Sequence, residues 1–224
     1  MKKVQLIGLV LCSAALLTAC KKSTPQATPA PTQKPRKADT NVNQEPISSR
    51  PYVILSPRDD GKAISLKIME MKKKAVDADY EVEYSAGSLL QGAFGTIDSL
   101  QSLPVAKEIL LGSCSTGGKC TYNTGVTGGT MTLRFGNPDF TLKQEWSFIE
   151  KANKEPIWNS RDGKFSIDVS KTKNTVGFVI VYNTPGFPGT FEGTVLAGPY
   201  SIAATGPLTG SAKVSIRLPQ DQTT

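Results

Sequence analysis

The feature that most constrains the fold is an apolar alternation with a period of two residues, which runs through most of the chain after residue 50. Side chains along a β-strand point alternately to opposite faces, so this alternation predicts strands with one buried face. No stretch keeps the 3.6-residue apolar spacing of an amphipathic helix over three turns. The clearest alternating segments are residues 64–68, 80–84, 131–135, 140–148 and 165–169.

Turn-forming dipeptides separate these predicted strands. Asp-Gly, Asn-Pro and Gly-Pro pairs lie at 60–61, 137–138, 162–163 and 206–207, and such pairs mark tight turns. Residues 176–182 are apolar at nearly every position, which predicts a strand covered on both faces. Many short strands at close spacing predict an all-β fold, a β-sandwich or a barrel. We expect an antiparallel β-sandwich, and the immunoglobulin-like type is an analogy with tandem modules on bacterial surfaces.

Two polar connections are interpreted as hairpins. Residues 72–79 contain three lysines and two aspartates between two alternating segments, which predicts a solvated hairpin connection. Residues 170–173 lie between two predicted strands in the same way and predict a second hairpin turn.

The polar stretch at residues 150–156 is the best candidate for an internal boundary. It divides the folded part into a β-sandwich module at 51–150 and a second β module at 151–224. The second segment is small for a complete sandwich, so we expect the two modules to pack together; one large sandwich remains the alternative.

The amino terminus has the pattern of an export signal. Lysines at positions 2 and 3 precede an apolar run over residues 4–17. This arrangement is typical of a secretory signal peptide, and the run is shorter than the ~20 apolar residues of a membrane-spanning helix. The sequence therefore predicts export of the chain.

Residues 17–20, Leu-Thr-Ala-Cys, resemble the bacterial lipobox. The resemblance implies a signal peptide at 1–19, cleavage after Ala19 and lipid attachment to Cys20, which would anchor the protein outside the cytoplasm. An ordinary signal peptide with an incidental Cys20 is the alternative. Because Lys21 rather than aspartate follows the cysteine, the resemblance favours the outer membrane in a host with two membranes, and otherwise the outer face of the cell membrane.

Residues 20–50 are rich in proline, lysine and threonine and contain little that could form a core, which predicts a disordered tether. The tether also contains most of the positive charge. The formal net charge of +7 falls to +5 without Lys2 and Lys3; residues 21–50 hold +4 of this, leaving +1 for residues 51–224. Nucleic-acid binding depends on neutralising phosphates, so we expect no nucleic-acid partner.

Two cysteines lie in the folded part. Cys114 and Cys120 enclose five residues in a chain predicted to be exported, which predicts a disulfide closing a small loop. A redox-active pair more often has the spacing Cys-x-x-Cys, and a zinc site needs two further ligands.

No catalytic constellation is evident, and we predict that the protein is not an enzyme. The chain contains no histidine, which excludes Ser-His-Asp and Cys-His arrangements. Ser170-x-x-Lys173 matches a known nucleophile pattern but lies in a predicted turn without its companion elements. Glu81 and Glu83 are predicted to face solvent on one strand. Residues 159–163 are similar to a calcium loop only superficially, since Arg161 and Gly163 stand where oxygen ligands belong. We therefore expect no metal and no cofactor.

The best candidate for binding is the loop at residues 183–193, which contains Phe187 and Phe191. Loops held by a rigid sandwich are where recognition usually lies. The alternative is that both phenylalanines fold back onto the core. Trp146 and Trp158 are predicted to be core or sheet-face residues, although a sugar platform would also use such side chains.

These features predict a non-catalytic, lipid-anchored envelope or cell-surface protein that binds or scaffolds a protein partner. The alternative is a glycan- or peptidoglycan-binding module that uses Trp158, Phe187 or Phe191. An enzyme ranks third.

Overall fold

The computed structural model describes residue 39, residues 42–137 and residues 139–219. In these residues the only regular elements besides β-strands are two short 3₁₀ helices, Ile47–Ser49 and Ala152–Lys154. All strand pairs are antiparallel, which confirms the predicted all-β, antiparallel architecture. The strands in chain order are β1 (Tyr52–Pro57), β2 (Ala63–Glu70), β3 (Asp77–Ala86), β4 (Leu89–Ile97), β5 (Val105–Leu110), β6 (Gly112–Cys114), β7 (Cys120–Tyr122), β8 (Val126–Gly136), β9 (Phe140–Glu150), β10 (Ile157–Asn159), β11 (Phe165–Asp168), β12 (Thr172–Asn174), β13 (Phe178–Asn183), β14 (Tyr200–Ala204), β15 (Leu208–Gly210) and β16 (Lys213–Ile216).

A six-stranded sheet with the order β14-β13-β9-β8-β3-β4 is the largest in the described part of the chain. Two three-stranded sheets have the orders β1-β2-β5 and β10-β11-β16, and β6-β7 and β12-β15 form two-stranded ribbons. Since β9 pairs with β13, the large sheet takes strands from both sides of residue 150.

The first hydrophobic core lies between the sheet β1-β2-β5 and one face of the six-stranded sheet. The alternating residues of β2 supply it: Ile64, Leu66 and Ile68 are fully buried. Trp146 of β9 is also fully buried, and its ring packs edge-on against that of Phe148 at a centroid distance of 6.4 Å. The predicted alternation therefore corresponds to a real buried face, and the prediction of Trp146 as a core residue is confirmed.

A second core lies on the opposite face of the large sheet, beside β13. Ile180 of β13 belongs to the first core, whereas Val179 and Val181 belong to the second. The sheet β10-β11-β16 contributes fully buried Trp158 and partly covers this face. Double burial explains why residues 176–182 are apolar without alternation, and it confirms the prediction of a strand covered on both faces.

Both predicted hairpins are wrong. The strand β2 pairs with β1 and β5, whereas β3 pairs with β4 and β8, so residues 71–76 cross between two sheets. Similarly, β11 and β13 lie in different sheets, and the short strand β12 lies between them in sequence. Alternation reports which face of a strand is buried but does not select its hydrogen-bonding partner.

The end of the segment predicted as a tether contacts the folded part. Val42 forms a parallel bridge with Thr141, and the Asn43 side chain bonds both backbone groups of Lys143, accepting from its N–H at 2.9 Å and donating to its C=O at 3.0 Å. Arg50 Nε donates to the carbonyl of Glu45 at 2.7 Å. An asparagine amide carries a donor and an acceptor, so it can pair with a strand as a peptide group does. Val42 and Asn43 are thus held against β9, and the contact from Arg50 to Glu45 orders the segment that follows.

The prediction that Glu81 faces solvent is wrong, because its side chain is partly buried and paired with an arginine. Its carboxylate accepts a hydrogen bond from Arg134 Nη2 at 2.8 Å, and Asp39 pairs with Nε of the same guanidinium. Arg134 is only 5% exposed, while Glu83 is exposed as predicted. A buried arginine needs such carboxylate partners, because an unpaired buried charge is strongly destabilising.

Candidate functional site

The predicted disulfide is present. Cys114 and Cys120 are bonded, with a Cα–Cα distance of 4.0 Å, and they are the last residue pair of the β6-β7 ribbon. The tip beyond them is exposed. The bond therefore staples the end of one ribbon and leaves the two cores untouched.

The lipidation site predicted at Cys20 lies outside the described residues. Among the residues that the structure does describe, no helix is long and apolar enough to cross a membrane.

The loop at residues 183–193, called the Phe loop from here on, leaves β13 and packs its first residues against the start of β1. Thr184 Oγ1 lies 3.1 Å from the carbonyl oxygen of Val53 and 3.0 Å from that of Gly186. Gly186 is buried, and a Cβ there would lie 2.7 Å from the carbonyl oxygens of Arg50 and Pro51. Only glycine allows the backbone to approach this closely.

Two contacts from the end of β2 hold the middle of the Phe loop. The Lys72 ammonium donates to the carbonyl of Phe187 at 2.7 Å and lies 4.0 Å from the centroid of its ring, a cation–π contact. The backbone N–H of Gly189 donates to a carboxylate oxygen of Glu70 at 3.0 Å. The loop is therefore fixed at its base and middle by groups from β1, from the end of β2 and from the crossover that follows β2.

Phe187 and Phe191 belong to neither hydrophobic core. Their rings pack edge to face, with centroids 5.4 Å apart and an interplanar angle of 70°. Phe187 is half-buried beneath Lys72, whereas Phe191 is 53% exposed. The structure thus differs from the alternative in which both rings fold back onto the core, and the loop presents an aromatic surface next to a cation.

A cleft beside the ends of β13 and β14 was not expected from the sequence. It has a volume of about 610 Å³, and its lining combines polar and apolar side chains. The polar members are Asp162, Lys164, Asn183, Tyr200 and Arg217. Asn183 and Tyr200 form the residue pair that closes the connection at the ends of β13 and β14.

Asp162 organises this cleft. One of its carboxylate oxygens accepts from the Tyr200 hydroxyl at 2.8 Å and from Asn183 Nδ2 at 3.3 Å. The other accepts from the Ser160 hydroxyl at 2.5 Å and from the Lys164 N–H at 3.0 Å. A turn between β10 and β11 is thereby tied to the base of the β13–β14 connection.

The same hydrogen bonds shift the pKa values of Asp162 and Tyr200. Burial alone raises the pKa of Asp162, but hydrogen bonds from Ser160, from the Lys164 N–H and from Tyr200 and Asn183 outweigh it, and the net pKa is lowered. Burial and the hydrogen bond to this carboxylate raise the pKa of Tyr200. At neutral pH the pair is therefore a carboxylate and a protonated phenol. Asn183 Oδ1 is buried without a hydrogen-bond partner among the described residues.

The Asp-Gly turn at residues 162–163 was visible in the sequence, but Tyr200 lies 38 positions further along the chain. No local pattern links the two. The described residues contain no group of three histidine, cysteine, aspartate or glutamate side chains that could hold a metal ion.

Trp158 is fully buried, and its Nε1 donates to the carbonyl of Glu155 at 2.9 Å. The core prediction for this residue is confirmed, and its ring has no exposed face to offer a sugar. Ser170 is exposed two residues after the end of β11, and its backbone N–H donates to the Asp168 carboxylate at 2.9 Å, as in an ordinary turn.

Comparisons of the chain with protein-family models, with curated proteins and with solved structures gave no match.

Proposed function

We propose that this protein is a non-catalytic, lipid-anchored protein of the bacterial envelope or cell surface, which binds a protein partner through the Phe loop. In this proposal Cys20 carries the lipid, and the segments 51–150 and 151–224 are two packed, immunoglobulin-like modules. No metal, cofactor or nucleic acid is part of it.

The observation that carries the proposal is the contrast between a fixed loop base and an exposed aromatic tip. Thr184, Lys72 and Glu70 hold the loop backbone, while Phe191 stays more than half exposed. A loop that is already ordered loses little conformational entropy on binding. Exposed aromatic rings are the side chains that most often anchor protein interfaces.

Site-specific photocrosslinking in intact cells tests the partner site. A photoreactive phenylalanine analogue at position 191 is compared with the same analogue at Ile157, which is 51% exposed but lies on β10. We expect one discrete adduct with an envelope protein from position 191 only, and its loss when Phe187→Ser is added. No adduct, or the same adducts from both positions, contradicts the proposal.

The anchor is tested independently of the partner. Cys20→Ser should release the protein from the membrane or leave an uncleaved precursor. Normal cleavage and membrane association in this variant would show that the lipid anchor is absent.

The cleft supports a second candidate, a glycan- or peptidoglycan-binding module. Convergent polar groups with apolar flanks in a concave site are what small-ligand sites usually have, and Arg217 and Lys164 add positive charge suited to carboxylate-bearing cell-wall fragments. Isothermal titration with such fragments should show binding that Arg217→Gln weakens. Arg161→Gln, an exposed arginine that does not line the cleft, is the matched control and should bind as the parent protein does.

A further inference from the structure

The edge strand β4 has the properties of a pairing surface. In the described part of the chain it pairs with β3 on one side and forms the edge of the six-stranded sheet on the other. Its nine residues, Leu-Leu-Gln-Gly-Ala-Phe-Gly-Thr-Ile, include no charged residue and no proline. Natural edge strands are usually protected by charges, prolines or bulges against pairing with another strand. The strand β4 has none of these.

The outer face of β4 is also apolar. Leu90 and Phe94 are four positions apart, so they lie on the same face of the strand. Leu90 is 72% exposed and Phe94 is 60% exposed. Exposed apolar groups beside unpaired backbone groups are the combination that strand addition uses for affinity and specificity.

The hairpin turn between β3 and β4 determines which backbone groups are available. The turn has two residues, Gly87 and Ser88, and Ala86 pairs with Leu89. In a two-residue hairpin the flanking pair is hydrogen-bonded, and bonded and non-bonded pairs then alternate. Residues 89, 91, 93, 95 and 97 therefore bond to β3. Residues 90, 92, 94 and 96 direct their N–H and C=O groups to the open edge.

We propose that β4 pairs with β4 of a second copy of this chain, antiparallel and about a two-fold axis at Ala93. In this register position 92 of one copy faces position 94 of the other, and position 90 faces position 96. These are the positions whose backbone groups are open, so each facing pair exchanges two hydrogen bonds. The two-fold symmetry makes the interface self-complementary.

The facing side chains fit this register. Phe94 lies opposite Gly92 of the second copy, so its ring can cover a residue that has no side chain. The same sheet already contains this arrangement: Tyr80 faces Gly95 across the β3–β4 pair, and a Cβ at Gly95 would lie 2.3 Å from the Tyr80 hydroxyl. An aromatic ring over a cross-strand glycine is a known way of stabilising a sheet.

Charge does not oppose a second copy as the occupant. The first charge after β4 is Asp98, which faces the uncharged Ser88 of the second copy in this register. Glu81 lies one strand away from the edge and is paired with Arg134. Like charges therefore do not face each other across the interface, where they would oppose pairing.

Sedimentation of the full mature chain in detergent micelles, over a range of concentrations, tests the proposal. We expect a monomer–dimer equilibrium. Phe94→Lys should raise the dimer dissociation constant by at least about tenfold, because it removes an apolar anchor and places a charge on the edge. Ile157→Lys, at a similarly exposed position on the edge strand β10, should leave the constant unchanged.

Two further variants keep the proposal falsifiable if Phe94→Lys fails to fold. Gly92→Val should also weaken the dimer, because a Cβ at Gly92 has only an ordinary contact within its own chain, 3.5 Å from the Val82 carbonyl oxygen, but occupies the space needed by Phe94 of the second copy. The double variant Leu90→Cys with Thr96→Cys should form an intermolecular disulfide that neither single variant forms.

A parent chain that stays monomeric at all concentrations overturns the proposal, as does a dimer that neither Phe94→Lys nor Gly92→Val weakens. Failure of the double-cysteine variant to crosslink excludes the register and the proposal with it. A disulfide to a different protein in place of the second copy would assign the edge to another occupant.

Discussion

The strands β13 and β4 belong to the same six-stranded sheet but differ in how many of their faces are covered. Val179 and Val181 of β13 pack into the second core and Ile180 into the first, so β13 is buried on both faces. On β4 the outer face is open, and Phe94 is 60% exposed. A strand that is covered on both faces gives a rigid base to the loops attached to it. An edge strand with one covered face keeps its other face and its open backbone groups available for association.

This difference assigns separate roles to the two regions. The β13 region supports both the Phe loop and the cleft, which share Asn183. The open edge and outer face of β4 provide unpaired backbone groups and the exposed side chains of Leu90 and Phe94 for association. Changes near β13 should therefore affect stability or ligand recognition, and changes on the outer face of β4 should affect self-association alone.

The largest effect is expected from Trp158→Ala, which removes the largest side chain of the second core. Trp158 is fully buried, and truncation of such a residue costs about 3–5 kcal/mol of unfolding free energy. The matched change at the open end, Phe94→Ala, should alter the stability of the monomer by no more than about 0.5 kcal/mol. Chemical denaturation of both variants measures the difference. Equal losses would show that the outer face of β4 is covered as fully as the second core.

Removal of the disulfide tests whether the β6-β7 ribbon supports the cores or only closes its own tip. Cys114→Ala with Cys120→Ala should lower the unfolding free energy by about 2 kcal/mol, because the closed loop is short. The loss should be the same whether it is measured by mutation or by reduction of the parent protein. A loss as large as that of Trp158→Ala would mean that the ribbon supports the cores and does not merely close its own tip.

The alternation of Ile64, Leu66 and Ile68 was enough to predict a buried strand face, because burial is a property of one strand. The partner of each strand was not predictable in this way, and the two hairpins were wrong because neighbouring alternating segments entered different sheets. The cleft was missed for the same reason. Asp162, in the turn before β11, meets Tyr200 of β14 only when the sheet β10-β11-β16 packs over the β13–β14 pair, and no local signal encodes that contact.

A smaller, pH-dependent effect is expected at the cleft. The folded state holds the pKa of Asp162 below its ordinary value of 3.8, so the ionised carboxylate stabilises the fold above about pH 4. This contribution is lost as the pH falls through the lowered pKa. Asp162→Asn should therefore reduce the steepness with which stability declines below pH 4. Denaturation curves measured between pH 2 and pH 7 check this; an unchanged slope would remove Asp162 from the groups that stabilise the base of the connection.

The smallest effect on stability is expected from Phe191→Ser, although this residue lies next to the strand that is buried on both faces. Its ring is 53% exposed and touches Phe187 at a centroid distance of 5.4 Å. The loop backbone is held by Lys72 and Glu70 rather than by this ring. The change should therefore alter the unfolding free energy by about 0.5 kcal/mol or less.

Phe187→Ser is the variant to compare with Phe191→Ser. It removes the half-buried ring beneath Lys72, so it should lower the unfolding free energy by more than Phe191→Ser does. Thermal unfolding of the two single variants and of the double variant separates the roles of the rings. If Phe191→Ser alone costs several kcal/mol, the ring is part of the fold and the Phe loop is not a recognition surface. If Phe187→Ser retains stability while the adduct from the analogue at position 191 is lost, the Phe loop is the surface that recognises the partner.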